Sequence, residues 1–233
     1  MNELLILYVA IGVLISLSII SIIIQKNKKL FTKVRLLLFI LITIVIIITT
    51  SLFIIYTIMV NYNAITKGPV HWHADFEVFR CNERLELIDP KSKILNKVGT
   101  SLFHEHNDNR IHIEGTVSKE NEISLSAFLS VVGGKMSNEE LSFPTNQGII
   151  NMKNGDECNN QKAELQVFLY KIKDNSVILE KIINPKDYII SPYANIPPGD
   201  CLIIEFDVLK NKTDKICKTL EISIQKGKVN NGG

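Results

Sequence analysis

Histidine is missing from most of this 233-residue chain, and the five that occur, His71, His73, His104, His106 and His112, fall within one window. Charge is missing from two long stretches, 4–24 and 36–60. No Cys-x-x-Cys pair occurs, which removes a thioredoxin-type redox motif. No Gly-x-x-x-x-Gly-Lys loop occurs, and no serine has a nucleophile-elbow context. A P-loop nucleotide site and a Ser-His-Asp hydrolase therefore have no basis. Methionine is scarce, at four residues, which disfavours a soft Cu(I) site.

The two uncharged stretches are each long enough to cross a hydrocarbon core, which needs about 20 apolar residues. Neither shows the polar stripe of a buried soluble helix. Between them, residues 25–35 carry Lys26, Lys28, Lys29, Lys33 and Arg35. Short basic loops stay cytoplasmic. The expectation is a cell-membrane protein with two spans, its N-terminus and C-terminal region extracytoplasmic. A cleaved signal peptide is disfavoured for the first stretch, because it has neither a basic leader nor a small-residue cleavage site.

The chain has 26 Lys and Arg against 24 Asp and Glu. Setting aside the five loop cations and Glu3 leaves 21 against 23 outside the membrane. A near-neutral domain makes no electrostatic case for nucleic acid. The four cysteines, Cys81, Cys158, Cys201 and Cys217, all lie in this outer part. An even count in an oxidising compartment predicts two disulfides. The preferred pairing is Cys201–Cys217, which closes a short loop, and then Cys81–Cys158.

The predicted organisation is a membrane anchor over 1–60, a tether over 61–69, a domain over 70–225 and a disordered tail over 226–233. In "VHWHADFEVF", Val70, Trp72, Ala74, Phe76 and Val78 alternate with His71, His73, Asp75, Glu77 and Phe79. Period two predicts a strand with one face on a core. A second alternating run at 110–117 sets Ile111 and Ile113 inward and Arg110, His112 and Glu114 on the other face. Ser124 caps a helix carrying Leu125, Phe128, Leu129 and Val132, closed by Gly133 and Gly134. Residues 141–157 read as loops and short extended pieces. Strands are predicted at 163–172 and 200–209, joined by a segment containing Pro185, Pro192, Pro197 and Pro198. A last strand is predicted at 218–225, from alternating Leu220, Ile222 and Ile224. The fold class is α+β: two transmembrane helices, then a mixed-sheet domain with one short helix. A β-grasp-like arrangement fits, with a small β-sandwich or barrel as the alternative.

Strand alternation brings His71, His73 and Asp75 to one face. If the second strand lies alongside, His112 and Glu114 join them, and "FHEHND" adds His104, His106 and Asp108 from a neighbouring loop. Nitrogen and carboxylate donors suit a divalent transition metal, with Zn or Cu(II) first and Fe or Mn next. The candidate ligands are His71, His73, His104, His106, His112, Glu114, Asp75 and Asp108. The acids could equally orient a ring or sit on the surface. Trp72 and Phe76 read as core. "HWHAD" matches a metallo-hydrolase pattern and "HWHADFE" a cupin pattern in part; each lacks the residues that complete it. His-x-Asp with a distal His112 matches a two-histidine, one-carboxylate iron site.

Three functions remain open. The first is metal binding, sensing or delivery. The second is a surface metalloenzyme, cupin-like, facial-triad or hydrolytic, with Glu77, Asp108 or Glu114 as general base. The third is an interaction subunit of a membrane complex, with an unidentified membrane protein partner and no metal.

Taken together, "HWHADFEVFRC", "LFHEHNDNRIHIEG", "SLSAFLSVVGGKM", "LQVFLYK" and "IPPGDCLIIEF" resemble an uncharacterised family of prokaryotic membrane-anchored proteins with a His-rich extracytoplasmic domain. The resemblance spans about residues 70 to 217. It implies a shared site at His71, His73, His104, His106, His112 and Glu114, and it implies no reaction.

Overall fold

The computed structural model describes residues 3–91, 96–173, 175–190 and 199–230. The chain divides into two compact units, Met1–Asn63 and Ala64–Gly233.

The first unit is two helices, α1 (Glu3–Gln25) and α2 (Lys28–Asn63). Both are long and apolar enough to cross a membrane by length and composition. Hydroxyls inside them bond the carbonyl four residues back: Ser16 to Gly12 at 2.8 Å, Thr43 to Phe39 at 2.8 Å and Thr57 to Phe53 at 2.9 Å. Each hydroxyl is thus satisfied within its own helix. The basic stretch 25–35, expected as a loop, is mostly the first turns of α2; only Lys26 and Asn27 form the turn. Asn27 accepts the Leu30 N–H at 3.2 Å, which starts the helix early.

The second unit is α+β. In chain order its strands are β1 (Pro69–Arg80), β2 (Glu83–Leu85), β3 (Val98–Gly99), β4 (Phe103–Glu105), β5 (Arg110–Thr116), β6 (Lys135–Met136), β7 (Glu140–Thr145), β8 (Gly148–Lys153), β9 (Glu157–Cys158), β10 (Gln161–Lys162), β11 (Glu164–Lys173), β12 (Ser176–Ile182) and β13 (Asp200–Asp207). Its α-helices are α3 (Leu125–Val131) and α4 (Lys218–Gln225). The main sheet has eight strands in the order β12-β11-β13-β1-β5-β4-β3, with β2 also on β1. It is mixed: β1 runs parallel to β13 and antiparallel to β5.

One sheet face carries the larger core. Ala74, Phe76 and Val78 from β1 join Ile111 and Ile113 from β5 and Leu202, Ile204 and Phe206 from β13. α3 covers them with Leu125, Phe128 and Leu129, and Phe128 meets Phe76 at 5.1 Å between ring centroids. Ser124 caps α3 as expected, accepting the Ala127 N–H at 3.1 Å. The opposite face is divided. At one end Phe79, Phe168, Cys201 and Ile203 pack under Leu220 of α4. At the other end the same face carries the histidines of β1, β4 and β5. β1 therefore buries both faces in its second half, Asp75 and Glu77 included, and leaves the histidine-bearing face partly exposed only in its first.

Several expectations need correction. Residues 218–225 form α4, not a strand. Leu220, Ser223 and Ile224, at helical spacing, turn to the sheet, while Ile222 is exposed. An eight-residue run carrying both periods is decided by the sheet it packs on. Residues 141–157 hold a true hairpin, β7–β8, paired from Glu140↔Lys153 to Thr145↔Gly148. The strand β12 lies in the segment read as a connection. In the tail, Val229 is buried and Asn230 bridges Ser176, so residues 226–230 are held rather than disordered. Residues 231–233 and the prolines Pro192, Pro197 and Pro198 lie outside the described residues.

Both disulfides pair as expected, Cys81–Cys158 and Cys201–Cys217. The first ties the β1–β2 turn to the β9–β10 hairpin. The second ties β13 to the first turn of α4. Two tight turns rest on positive φ at both central residues, Cys81–Asn82 and Asn159–Asn160. That backbone suits the twist of two-residue hairpins.

Candidate metal centre

Register builds the site. In the β1–β5 ladder His73 pairs with His112, His71 with Glu114 and Asp75 with Arg110. In the β4–β5 ladder His104 pairs with His112. One rung across three strands is therefore His73–His112–His104, all on one face. Cross-strand neighbours of this kind approach to about 5 Å. The rings follow: His73 and His112 are 4.6 Å apart between centroids, and His104 and His112 are stacked at 5.5 Å.

His106 comes from the loop after β4. Its ring lies 4.7 Å from His104 and 4.8 Å from His112. The loop is shaped by Asn107 and Asn109, both at positive φ, which Asn tolerates. Glu105 holds it from beneath. Its Oε1 accepts the N–H groups of Asp108 at 2.6 Å and Asn109 at 2.9 Å. Burial raises the Glu105 carboxyl above its usual range, and these backbone bonds oppose that rise. The alternation pattern gave no warning of Glu105, because its role is read by loop backbone rather than by a strand face.

Protons can be assigned from geometry at one ring. His106 Nδ1 lies 2.6 Å from the Asn96 carbonyl, which only accepts, so Nδ1 carries hydrogen. Its Nε2 lies 3.1 Å from His104 Nε2. A tetrahedral ion with Zn–N bonds of about 2.0–2.1 Å sets its ligand nitrogens about 3.3 Å apart. The pair is thus close to a ligand edge. Burial holds His104 below the usual imidazole range, and His106, Lys97 and His112 push the same way against Glu114. A neutral imidazole is the form that binds metal.

Among the described residues, two groups bring three ligand atoms within 4.8 Å of one another: His71, His73 and His112, and His104, His106 and His112. Every histidine belongs to a group, and His112 belongs to both. The donor set fits a divalent transition metal. A further sign is that Nδ1 of His104 and of His112 is buried without a hydrogen-bond partner. Buried polar atoms are normally satisfied, so these two ring nitrogens are available as donors to a ligand.

The acids divide. Glu114 reaches His71 Nε2 at 3.0 Å and His104 Nε2 at 3.9 Å. Asp108 Oδ2 lies 3.4 Å from His112 Nε2. Burial opposes ionisation of Asp108, but bonding to His112 and to the Arg110 N–H wins and lowers its carboxyl. Asp75 belongs to neither group; it accepts from Arg110 Nε at 2.7 Å. Glu77 is also committed elsewhere, accepting the Lys218 N–H at 3.1 Å near Arg84, which removes it as a base beside the histidines. Trp72 and Phe76 lie on the core side.

Fold and site together define an α+β domain bearing a histidine cluster on a mixed sheet, in a chain with two long apolar helices. No family model, curated protein or solved structure matches the chain, so the resemblance read from its motifs gains no support from those comparisons.

Proposed function

We propose that this protein is a membrane-anchored extracytoplasmic metal-binding protein. α1 and α2 cross the membrane, the basic residues between and at the start of α2 stay inside, and the sheet domain lies outside. Two disulfides suit that compartment. The histidine cluster binds a divalent transition metal, Zn or Cu(II) ahead of Fe or Mn, for binding, sensing or delivery.

The observation that carries this reading is convergence. All five histidines of the chain meet in two overlapping groups of ligand distance. An interaction module with a merely polar face would leave them splayed. A metalloenzyme is the second reading, favoured by the exposure of Glu114 and Asp108 beside the rings, where a carboxylate can accept a proton. The test is Zn(II) affinity of the full chain in detergent. His73→Ala and His112→Ala should each weaken binding by at least tenfold. Unchanged affinity in both variants contradicts a shared site.

A further inference from the structure

We infer that the histidine cluster is built for two metal ions, with Glu114 as the carboxylate that bridges them. The inference deepens the metal-binding reading above and rests on it.

Five imidazoles exceed what one tetrahedral ion uses, which is four ligands at most. They also divide by position. The ring centroids of His71 and His73 lie 4.5 Å apart, and those of His104 and His106 lie 4.7 Å apart. His112 stands between the pairs and completes either group. Glu114 spans the same division: Oε1 lies 3.0 Å from His71 Nε2, and Oε2 lies 3.9 Å from His104 Nε2. One oxygen thus faces each pair. A carboxylate disposed this way can bind one ion per oxygen, and paired ions in two-metal centres sit about 3.5–4 Å apart. Its side chain is 42% exposed, so small torsional adjustments meet little resistance.

The two positions differ in access. The His71 side chain is 62% exposed and that of His104 is 1% exposed. The outer ion therefore exchanges with solvent, and the inner ion is held under the loop of residues 106–109.

The test uses the full chain in detergent, with Co(II) as the probe and bound metal counted after gel filtration. The expected result is two Co(II) per wild-type chain. His71→Ala and His106→Ala should each retain one, with faster exchange for the ion left in His106→Ala. A second measurement loads Cu(II) and compares integrated electron spin with copper content. Wild type should show less spin than copper, because the bridged ions couple, and Glu114→Gln should recover spin. One Co(II) per wild-type chain, weakened alike by both histidine variants, overturns the two-ion site and leaves the metal-binding reading intact. No retained Co(II) overturns that reading itself. Full spin in wild-type protein holding two Cu(II) overturns the bridge.

Discussion

His73 and His112 stand directly opposite each other in the β1–β5 ladder, with ring centroids 4.6 Å apart. From the loop that precedes β5, Asp108 reaches His112 Nε2 at 3.4 Å. An acid that orients a ligand ring typically contributes 10–100-fold to metal affinity. Asp108→Asn should weaken Zn(II) binding by about that factor, while the number of ions bound stays the same. Competition titration against a chromophoric chelator reads both quantities.

One rung beyond, Asp75 and Arg110 make a nearly buried pair, with side chains 6% and 24% exposed. Removing one partner of a buried pair strands a charge, at a cost of about 3–5 kcal/mol. Arg110→Ala should show a loss on that scale in denaturant unfolding. The double variant Arg110→Met with Asp75→Leu should recover most of it, since replacing a buried pair by apolar groups is often neutral. A small effect of Arg110→Ala would mean that water reaches Asp75.

The two disulfides close loops of very different length, with sequence separations of 77 and 16. In the chain-entropy account a 15-residue loop is worth about 3 kcal/mol and a 100-residue loop about 4.7 kcal/mol. Replacing Cys81 and Cys158 by serine should lower the melting midpoint more than replacing Cys201 and Cys217. Non-reducing mass spectrometry should find no free thiol in the native protein.

Asp207 gives the acid limb of stability a local source. Burial opposes its ionisation, but Lys210 Nζ at 2.9 Å and the Val208 N–H at 2.8 Å outweigh it and lower its carboxyl. A carboxyl depressed in the folded state stabilises fully above its unfolded value, about 3.9, and the contribution is lost as pH falls through the folded value. Asp207→Asn should therefore flatten the stability profile below about pH 4 and lower the plateau above it. An unchanged acid limb would assign it to other carboxylates.

The placement of the histidines on one face was legible because strand alternation is strict where the other face meets the core. Val70 to Val78 and Ile111 with Ile113 fixed which side His71, His73 and His112 occupy. The two uncharged stretches, Ser124 as a cap and the cysteine pairing were legible for similarly local reasons. What escaped depended on tertiary context. Residues 218–225 satisfy strand and helix periods alike, and packing of Leu220 on Phe168 and Ile203 selects the helix. The β7–β8 hairpin was hidden by Pro144 and the polar residues around it. Glu105 and the Asn96 carbonyl act on loop backbone and on a ring nitrogen, contacts that no spacing rule encodes. Asp75 sits on the predicted face, yet Arg110, its partner in the ladder, takes it from the histidines.

The most direct measurement is the metal content of the full chain, purified in detergent from membranes without a polyhistidine tag, by elemental mass spectrometry. The account predicts a divalent transition metal at one or more per chain, removed by chelation and lost in His112→Ala. A chain that holds no metal after Zn, Cu, Fe and Mn are each offered contradicts it, and the histidine cluster is then only the polar face of a sheet.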